Sequence, residues 1–311
     1  MLQLMLHAHP RLAVPPETRF VERTYFARRT FGDLRDPDSR RRLAESIVRP
    51  ADTRFAHLRL DADEVTERIV AAPPTVGSAC AAVFEAYAER FGRPRWGDKR
   101  PGYHNVVPVL RRMFPDAVFV HLLRDGRDCV ASLKRASWWR RSTYGSIVSW
   151  MDATRNAGHA ARTLPSDAFH ELRYEDLVAD PPRVLAELCD FLGEDYDEAM
   201  TRPRDLAGVA VPTRKMRVEG TLRDVSTASI GNWRQVLDPW EVELCEAVMG
   251  DRLSGLGYEL SGAARPDAAH RRRYLRAAAA TRARRYRTLA ADRLDLALHR
   301  PAIAASPVRP R

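Results

Sequence analysis

Long apolar runs, grouped cysteines and lysine are what this 311-residue sequence has least of. No stretch approaches the roughly 18 consecutive apolar residues of a membrane-spanning helix, so none is expected. The opening residues, MLQLMLHAHP, lack the charged leader and small-residue cleavage site of a secretory signal, and none is expected there. The four cysteines, Cys80, Cys129, Cys189 and Cys245, stand far apart, with no CxxC and no Cys/His grouping. That pattern argues against a disulfide framework and a structural zinc site, gives no reason to expect a metal, and fits a reducing cytoplasm. Neither GxGxxG nor a Walker loop ending in Gly-Lys-Ser/Thr occurs, which argues against a nucleotide kinase. Lysine is confined to Lys99, Lys134 and Lys215. Every other cation is arginine, and with abundant Ala and Pro this points to a GC-rich genome, in which a retained lysine needs a reason.

What is present suffices for a folded protein. The chain is 45% hydrophobic and 30% charged, enough for a core and long enough for one large domain or two small ones. Its net charge of +10 is unevenly placed: residues 262–311 hold 13 Arg against 3 Asp, and the body before them is neutral. A globally basic nucleic-acid binder is thereby disfavoured. We divide the chain into a body, 1–261, and a basic, Ala/Arg-rich helical tail, 262–311. The tail reads either as a solvated helix packed on the body or as a surface for an anionic partner, membrane or nucleic acid.

Along the body, 1–9 reads as a short helix stopped by Pro10, followed by an irregular LAVPPETRF in which Pro15-Pro16 excludes helix and strand ladders. Helical patterns follow at 38–50, 61–70 and 78–91, the last ended by Gly92. RPRWGDKRPGYH reads as a turn-rich loop leading into a helix near 104–113. Ala117–Leu123 reads as a buried parallel strand, 126–135 as the helix leaving it, 145–163 as a long helix and 169–174 as a second strand. A helix over 181–193 has Pro at its start and Gly at its end. A loop over 200–232 and a helix over 239–253 complete the body. Alternating strands and helices predict an α/β fold with a parallel sheet flanked by helices.

The strongest local signal is HLLRDGRDCVASL, 121–133. Arg124 stands where a strand ends, Gly126 allows a tight turn, and a helix begins. Ligands of open parallel sheets bind beyond the carboxyl ends of strands, and a helix N-terminus offers free N–H groups to an anion. Arg124 is suited to gripping a phosphate in two-pronged fashion, with Ser132 about two helical turns on. The alternative is a surface arginine paired with Asp125 or Asp128, and spacing alone does not decide.

RDGRDCVAS resembles the 3′-phosphate-binding motif of sulfotransferases that use 3′-phosphoadenosine 5′-phosphosulfate (PAPS), an Arg followed eight residues later by Ser. Four further segments match in family order. AHPRLAVPPETRF resembles the segment after the first helix of bacterial and tyrosylprotein sulfotransferases, and WGDKRPGYH their lysine-containing loop. LRYEDLVADP resembles their tyrosine-containing strand and turn, and DVSTASIGNWRQVL their late nucleotide-binding loop. The resemblance implies a P-loop-like α/β domain, PAPS as donor, 3′,5′-adenosine bisphosphate (PAP) as product, and transfer of a sulfuryl group to a hydroxyl or amine acceptor by in-line displacement. Charge accumulates on the leaving phosphate in such a reaction, so cations must be aimed there.

By the same resemblance, Lys99 is the catalytic lysine, a compact charge able to donate a proton as Arg cannot. Glu17 is the general base and Arg19 the residue that orients acceptor or base; the alternative is a Glu17–Arg19 ion pair within the loop. Arg124 and Ser132 hold the 3′-phosphate. Tyr174 lines the nucleotide pocket or, alternatively, packs in the core. Ser226, Thr227 and Gly231 touch the donor. Trp233 flanks the adenine or is a core tryptophan. His9, before Pro10, reads as structural.

One family feature is missing. The family opens with a strand and a Gly-rich loop that wraps the 5′-phosphosulfate, directly before the helix that MLQLMLHAHP resembles. The sequence begins after it, so we expect either a longer protein whose start lies upstream or a chain without that loop. The expected function is a cytoplasmic bacterial sulfotransferase. The alternative is a non-catalytic nucleotide-binding or interaction protein derived from one, with the tail engaging an anionic partner.

Overall fold

The computed structural model describes residues 1–203, 226–299 and 302–306. Thirteen α-helices and four strands lie among them. In chain order they are α1 (Leu2–Ala8), β1 (Leu12–Ala13), α2 (Phe20–Ala27), α3 (Pro37–Val48), α4 (Ala62–Ala71), α5 (Val76–Arg90) and β2 (Arg95–Trp96). Then come α6 (Val107–Met113), β3 (Phe119–Leu123), α7 (Gly126–Arg135), α8 (Thr143–Thr163), β4 (Phe169–Arg173), α9 (Tyr174–Ala179) and α10 (Pro181–Leu192). The last are α11 (Trp233–Val236), α12 (Pro239–Gly255) and α13 (Ala268–His299). The fold is mixed α/β, as the alternation of elements predicted, and its strands form two two-stranded sheets, β1–β2 and β3–β4. The chain divides into two compact units.

The first unit takes residues 1–119, 180–225 and 300–311. Its helices begin where side chains supply caps. Asp36 accepts from the amides of Asp38 and Ser39, with Pro37 as the first helical residue, and Asp61 accepts from Asp63 and Glu64. Thr75 caps α5, which is buried along most of its length. Phe20, Phe84 and Trp96 form an aromatic column with centroids 5.1 and 4.8 Å apart, and Phe114 meets Trp96 edge-on at 5.4 Å. The column fixes β2 against α2 and α5. Segment 302–306 returns to this unit: the Gly77 amide donates to Ile303 and the Ala305 amide to the Met113 carbonyl, at 2.8 and 2.7 Å.

The second unit takes residues 120–179 and 226–299. Its core gathers Val130, Ile147, Trp150, Trp233, Met249 and Leu253 from α7, α8, α11 and α12. A capping box between Asp238 and Glu241 opens α12. The tail helix α13 packs along α8: Tyr144 meets His270 at 2.9 Å, and Arg282 lies 3.6 Å from Asp152.

Four local expectations need correction. LAVPPETRF is not wholly irregular, because Leu12–Ala13 pairs with Arg95–Trp96, which also puts a strand inside the expected loop RPRWGDKRPGYH. The prolines act only two residues later and stop the ladder there. The β3 strand is buried only at Leu123, its other four residues being half-buried. The helix expected near 104–113 starts at Val107, since Pro101–Asn105 is a 3-10 turn. Tyr174 opens α9 rather than ending β4. Of the loop expected over 200–232, residues 204–225 lie outside the described residues.

Candidate active site

In the first unit β1 and β2 run parallel, with Leu12 opposite Arg95 and Ala13 opposite Trp96. Parallel strands bring their carboxyl ends side by side. Glu17 comes four residues after Ala13 and Lys99 three after Trp96, so the pairing delivers both to one place. Lys99 Nζ stands 3.6 Å from Glu17 Oε2. Glu17 is 17% exposed and Lys99 47%. The other Glu17 oxygen, Oε1, accepts from Arg54 Nη1 at 3.0 Å. Arg54 has φ +61°, a left-handed conformation that a non-glycine residue adopts at a cost.

Asp98 lies beneath this pair. One of its oxygens accepts from Tyr103 Oη and, at 3.4 Å, from Thr18 Oγ1, while the other is buried without a partner. Burial pushes the Asp98 carboxyl above the usual range, against those hydrogen bonds and Lys99, which pull it down.

Arg19 does not pair with Glu17, as the loop alternative had it. Arg54 and Lys99 hold Glu17 instead. Arg19 is exposed and lines an open cleft of about 300 Å³ with Glu22, Arg23, Phe26, Asp52 and Arg100. Two ion pairs cross that cleft, Arg23–Asp52 at 2.5 Å and Arg100–Glu22 at 2.6 Å. His9 is buried and structural in its contacts: one ring nitrogen meets the Asp195 carbonyl at 2.8 Å and the other accepts from the Arg11 amide at 3.1 Å.

In the second unit Arg124 follows β3 by one residue and Tyr174 follows β4 by one. The two meet, with the Arg124 guanidinium 4.3 Å from the Tyr174 ring centroid. Arg124 Nη2 donates to the Ser229 carbonyl at 2.8 Å, Tyr174 Oη bonds the Ser229 hydroxyl, and Arg124 Nε is buried without a partner. The ion-pair alternative for Arg124 is weak: Asp128 is 4.0 Å away, and Asp125 is taken by Arg127 at 2.8 Å.

The α7 N-terminus is less open than expected, because the Asp125 side chain already accepts from the Arg127 amide. Gly126 lets this turn sit tight, since a Cβ there would lie 2.7 Å from Met249 Sδ and 2.8 Å from the Trp150 ring.

Asp128, which the sequence reading left as a mere salt-bridge candidate, holds the late loop. Its two oxygens accept from the Gly231 and Trp233 amides, each at 2.8 Å. Burial raises its carboxyl pKa, and these two bonds, followed by Arg124, oppose the rise. Gly231 has φ +71°, a conformation that suits glycine. Trp233 is 3% exposed, with the Arg127 and Arg234 guanidinium groups 4.2 and 4.4 Å from its ring centroid. Of the two readings of its ring, its contacts are those of the core tryptophan. Ser226 and Thr227 are exposed at the start of a short 3-10 turn. Ser132 is exposed on α7 and makes no hydrogen bond to Arg124.

Comparison with known proteins gives a consistent result. The profile described as the sulfotransferase family matches residues 1–198. Protein-tyrosine sulfotransferase 1 of Danio rerio is 24% identical over 83% of this chain and 68% of its own length. A putative protein-tyrosine sulfotransferase of Caenorhabditis elegans is 23% identical over 45% of the chain and 56% of its own length, so the match leaves a large part of such relatives uncovered. An omega-hydroxy-beta-dihydromenaquinone-9 sulfotransferase of Mycobacterium tuberculosis is 29% identical over 30% of the chain and 28% of its own length. Among solved structures, the sulfotransferase domain of the Synechococcus PCC 7002 olefin synthase superposes with a TM-score of 0.54 at 24% identity, covering 79% of this chain and 88% of that one. The sulfotransferase domain from the curacin biosynthetic pathway gives 0.54 at 17% identity, covering 83% and 93%.

Proposed function

Because the chain belongs to the sulfotransferase family, we propose that it moves a sulfuryl group from PAPS to a hydroxyl acceptor by in-line displacement. The observation that carries the reading is the meeting of Glu17 and Lys99, 3.6 Å apart at the ends of two parallel strands. A half-exposed ammonium beside a largely buried carboxylate is what such a transfer needs: a cation for the charge that grows on the leaving phosphate, and a base for the acceptor proton. When bound, PAPS would supply the activated sulfuryl group. Glu17 takes the proton of the attacking hydroxyl as the oxygen–sulfur bond forms. Lys99 would supply positive charge to the leaving phosphate oxygen of the donor. Arg54 holds Glu17 in place, and Arg19 lines the adjoining cleft, where an acceptor would be oriented.

The second unit supplies groups that fit the nucleotide's 3′-phosphate. Arg124 is preset by its stack on Tyr174 and keeps a buried N–H without a partner. A buried donor of that kind lowers its free energy by meeting an anion. Ser132, Ser226, Thr227 and the Gly231 backbone are the further contacts proposed for the donor. A hydroxyl acceptor is also what the named relatives share, tyrosine in one group and an omega-hydroxy-beta-dihydromenaquinone-9 in the other. Four cysteines without disulfides support a reducing, cytoplasmic setting.

The test uses the full chain with sulfur-35-labelled PAPS and a tyrosine-containing peptide or a simple phenol as acceptor. Labelled product is expected from the wild type. Lys99→Ala and Glu17→Gln should each lose at least about a hundredfold in turnover while PAP binding persists. Undiminished turnover in Lys99→Ala would overturn the assignment. PAP binding without transfer to any acceptor would instead favour a nucleotide-binding protein that is not a transferase.

A further inference from the structure

The tail helix α13 sorts its side chains by chemistry. Its two acids, Asp292 and Asp295, are buried. The exposed positions hold seven arginines, 271, 272, 273, 276, 284, 287 and 293, and neither Asp nor Glu. Apolar residues are exposed among them: Leu275 at 60%, Tyr286 at 70%, Leu294 at 61% and Leu298 at 66%. Of the eight large hydrophobic residues exposed among the described residues, these are four. Leu275 and Tyr286 are eleven residues apart, about three turns, so they share one side of the helix. Ala279, Ala283 and Ala290 fall in the same arc, as does Leu294, with Arg272, Arg276 and Arg287 interleaved. The opposite side, with Tyr274 and Ala278, is the one packed in the unit.

A second element reaches the same end of the helix. The loop 136–142 leads directly into α8, whose Tyr144 is bonded to His270 in the first turn of α13. That loop carries Trp138, 61% exposed, with Arg140 and Arg141 also exposed.

We propose that this surface, the outer side of α13 with the Trp138 loop at its start, docks on an anionic lipid bilayer. The charge of the exposed helix is all of one sign, so it repels a second copy of itself and calls for a negative partner. Nucleic acid would satisfy the arginines but gives exposed Leu275, Leu294 and Leu298 nothing to bury against. A bilayer interface takes both: phosphate headgroups meet the guanidinium groups, the leucines enter the headgroup–acyl boundary, and Tyr and Trp sit at the polar margin. The helix stays in the plane of the interface, since no helix among the described residues is long and apolar enough to cross a membrane. The inference rests on the tail helix and the Trp138 loop and stands whether or not the transferase reading does.

Co-sedimentation of the full chain with sucrose-loaded vesicles tests it, with phosphatidylcholine alone compared with phosphatidylcholine mixed with phosphatidylglycerol. The chain should pellet with the anionic vesicles at least about tenfold better than with the neutral ones, and the difference should shrink with added salt. The triple variant Leu275→Ser, Tyr286→Ser, Leu294→Ser should lose about tenfold or more in partitioning, with its helix content unchanged by circular dichroism. The variant Arg272→Gln, Arg276→Gln, Arg287→Gln should lose as much by the electrostatic route. Equal binding to both vesicle types would overturn the proposal. So would undiminished binding by the serine variant, or tight binding of duplex DNA with no binding to vesicles.

Discussion

Asp128→Asn is the sharpest probe of how the late loop is held. The native carboxylate accepts two backbone N–H bonds, from Gly231 and Trp233, both at 2.8 Å, and stands 4.0 Å from the Arg124 guanidinium. Each hydrogen bond to a charged acceptor contributes about 1.5–3 kcal/mol net. The attraction to Arg124 is about 4 kcal/mol at an effective dielectric of 20. Against these stands desolvation, the first cause of the raised carboxyl pKa, with the Asp125 charge adding to it. Asparagine removes that cost, keeps one acceptor and turns an NH₂ toward the second backbone N–H. The expected loss is therefore about 2 kcal/mol, well below the sum of the gross attractions. Asp128→Ala leaves both amides unpaired and should lose about 3 kcal/mol. Urea unfolding followed by Trp fluorescence checks both, with the midpoint falling and the slope unchanged. A second readout is PAP affinity, which should weaken in both variants because Gly231 and Ser229 lose their fixed places beside Arg124. An Asp128→Asn protein within about 0.5 kcal/mol of the wild type would refute the latch.

Three further outcomes follow from the geometry. Gly126→Ala puts a methyl group against Met249 Sδ and the Trp150 ring, both closer than 3 Å, and should cost about 1–3 kcal/mol by overpacking, read from thermal or urea unfolding. Arg54→Gly and Arg54→Ala both lose the bond to Glu17, but only glycine relieves the left-handed backbone, so the glycine variant should be the more stable by about 1 kcal/mol. His7, buried and then repelled by Arg93, has its pKa lowered from 6.5 to about 4. The unfolded chain thus binds a proton there before the folded one does, so stability is full above pH 6.5 and falls by about 3 kcal/mol as pH drops to 4. The difference between wild type and His7→Asn across that window isolates the effect, because asparagine can still accept from the Val14 amide, which donates to His7 Nδ1 at 3.1 Å.

Much of the second unit was legible in the sequence because its signals are local. The apolar run before Arg124, the Gly at 126 and the amphipathic stretch to Arg135 fixed strand, turn and helix nearly to the residue. The Ala/Arg composition of α13 did the same, as in the first unit did the Pro and Gly that bound α10. The role of Asp128 was not legible. Its partners, the amides of residues 231 and 233, lie more than a hundred residues away and are backbone groups without a side-chain signature. Trp233 was ambiguous for the same reason, since one aromatic letter serves equally for a core and for a nucleotide face until Arg127 and Arg234 are found against it.

The Glu17–Lys99 pair marks the limit of local reading in a different way. Two-residue strands carry no alternation, so neither β1 nor β2 is detectable from pattern. What pairs them is remote: Trp96 is clamped between Phe84 and Phe114, which holds β2 at the register that meets Leu12 and Ala13. Only the resemblance to sulfotransferase segments drew Glu17 and Lys99 into one reading, and it was silent on Arg54, whose loop has no matching motif. Yet Arg54 completes the group. With one carboxylate oxygen held by Arg54 and the other facing Lys99, Glu17 has a fixed orientation that a flexible loop alone would not give it. The strained backbone at Arg54 is thus best understood as the cost of aiming its guanidinium at Glu17. A carboxylate and a cation set side by side by strand pairing, and steadied from a third segment, make a preorganised pair, and under the proposed transfer that preorganisation would let the charges act on a transition state without first rearranging.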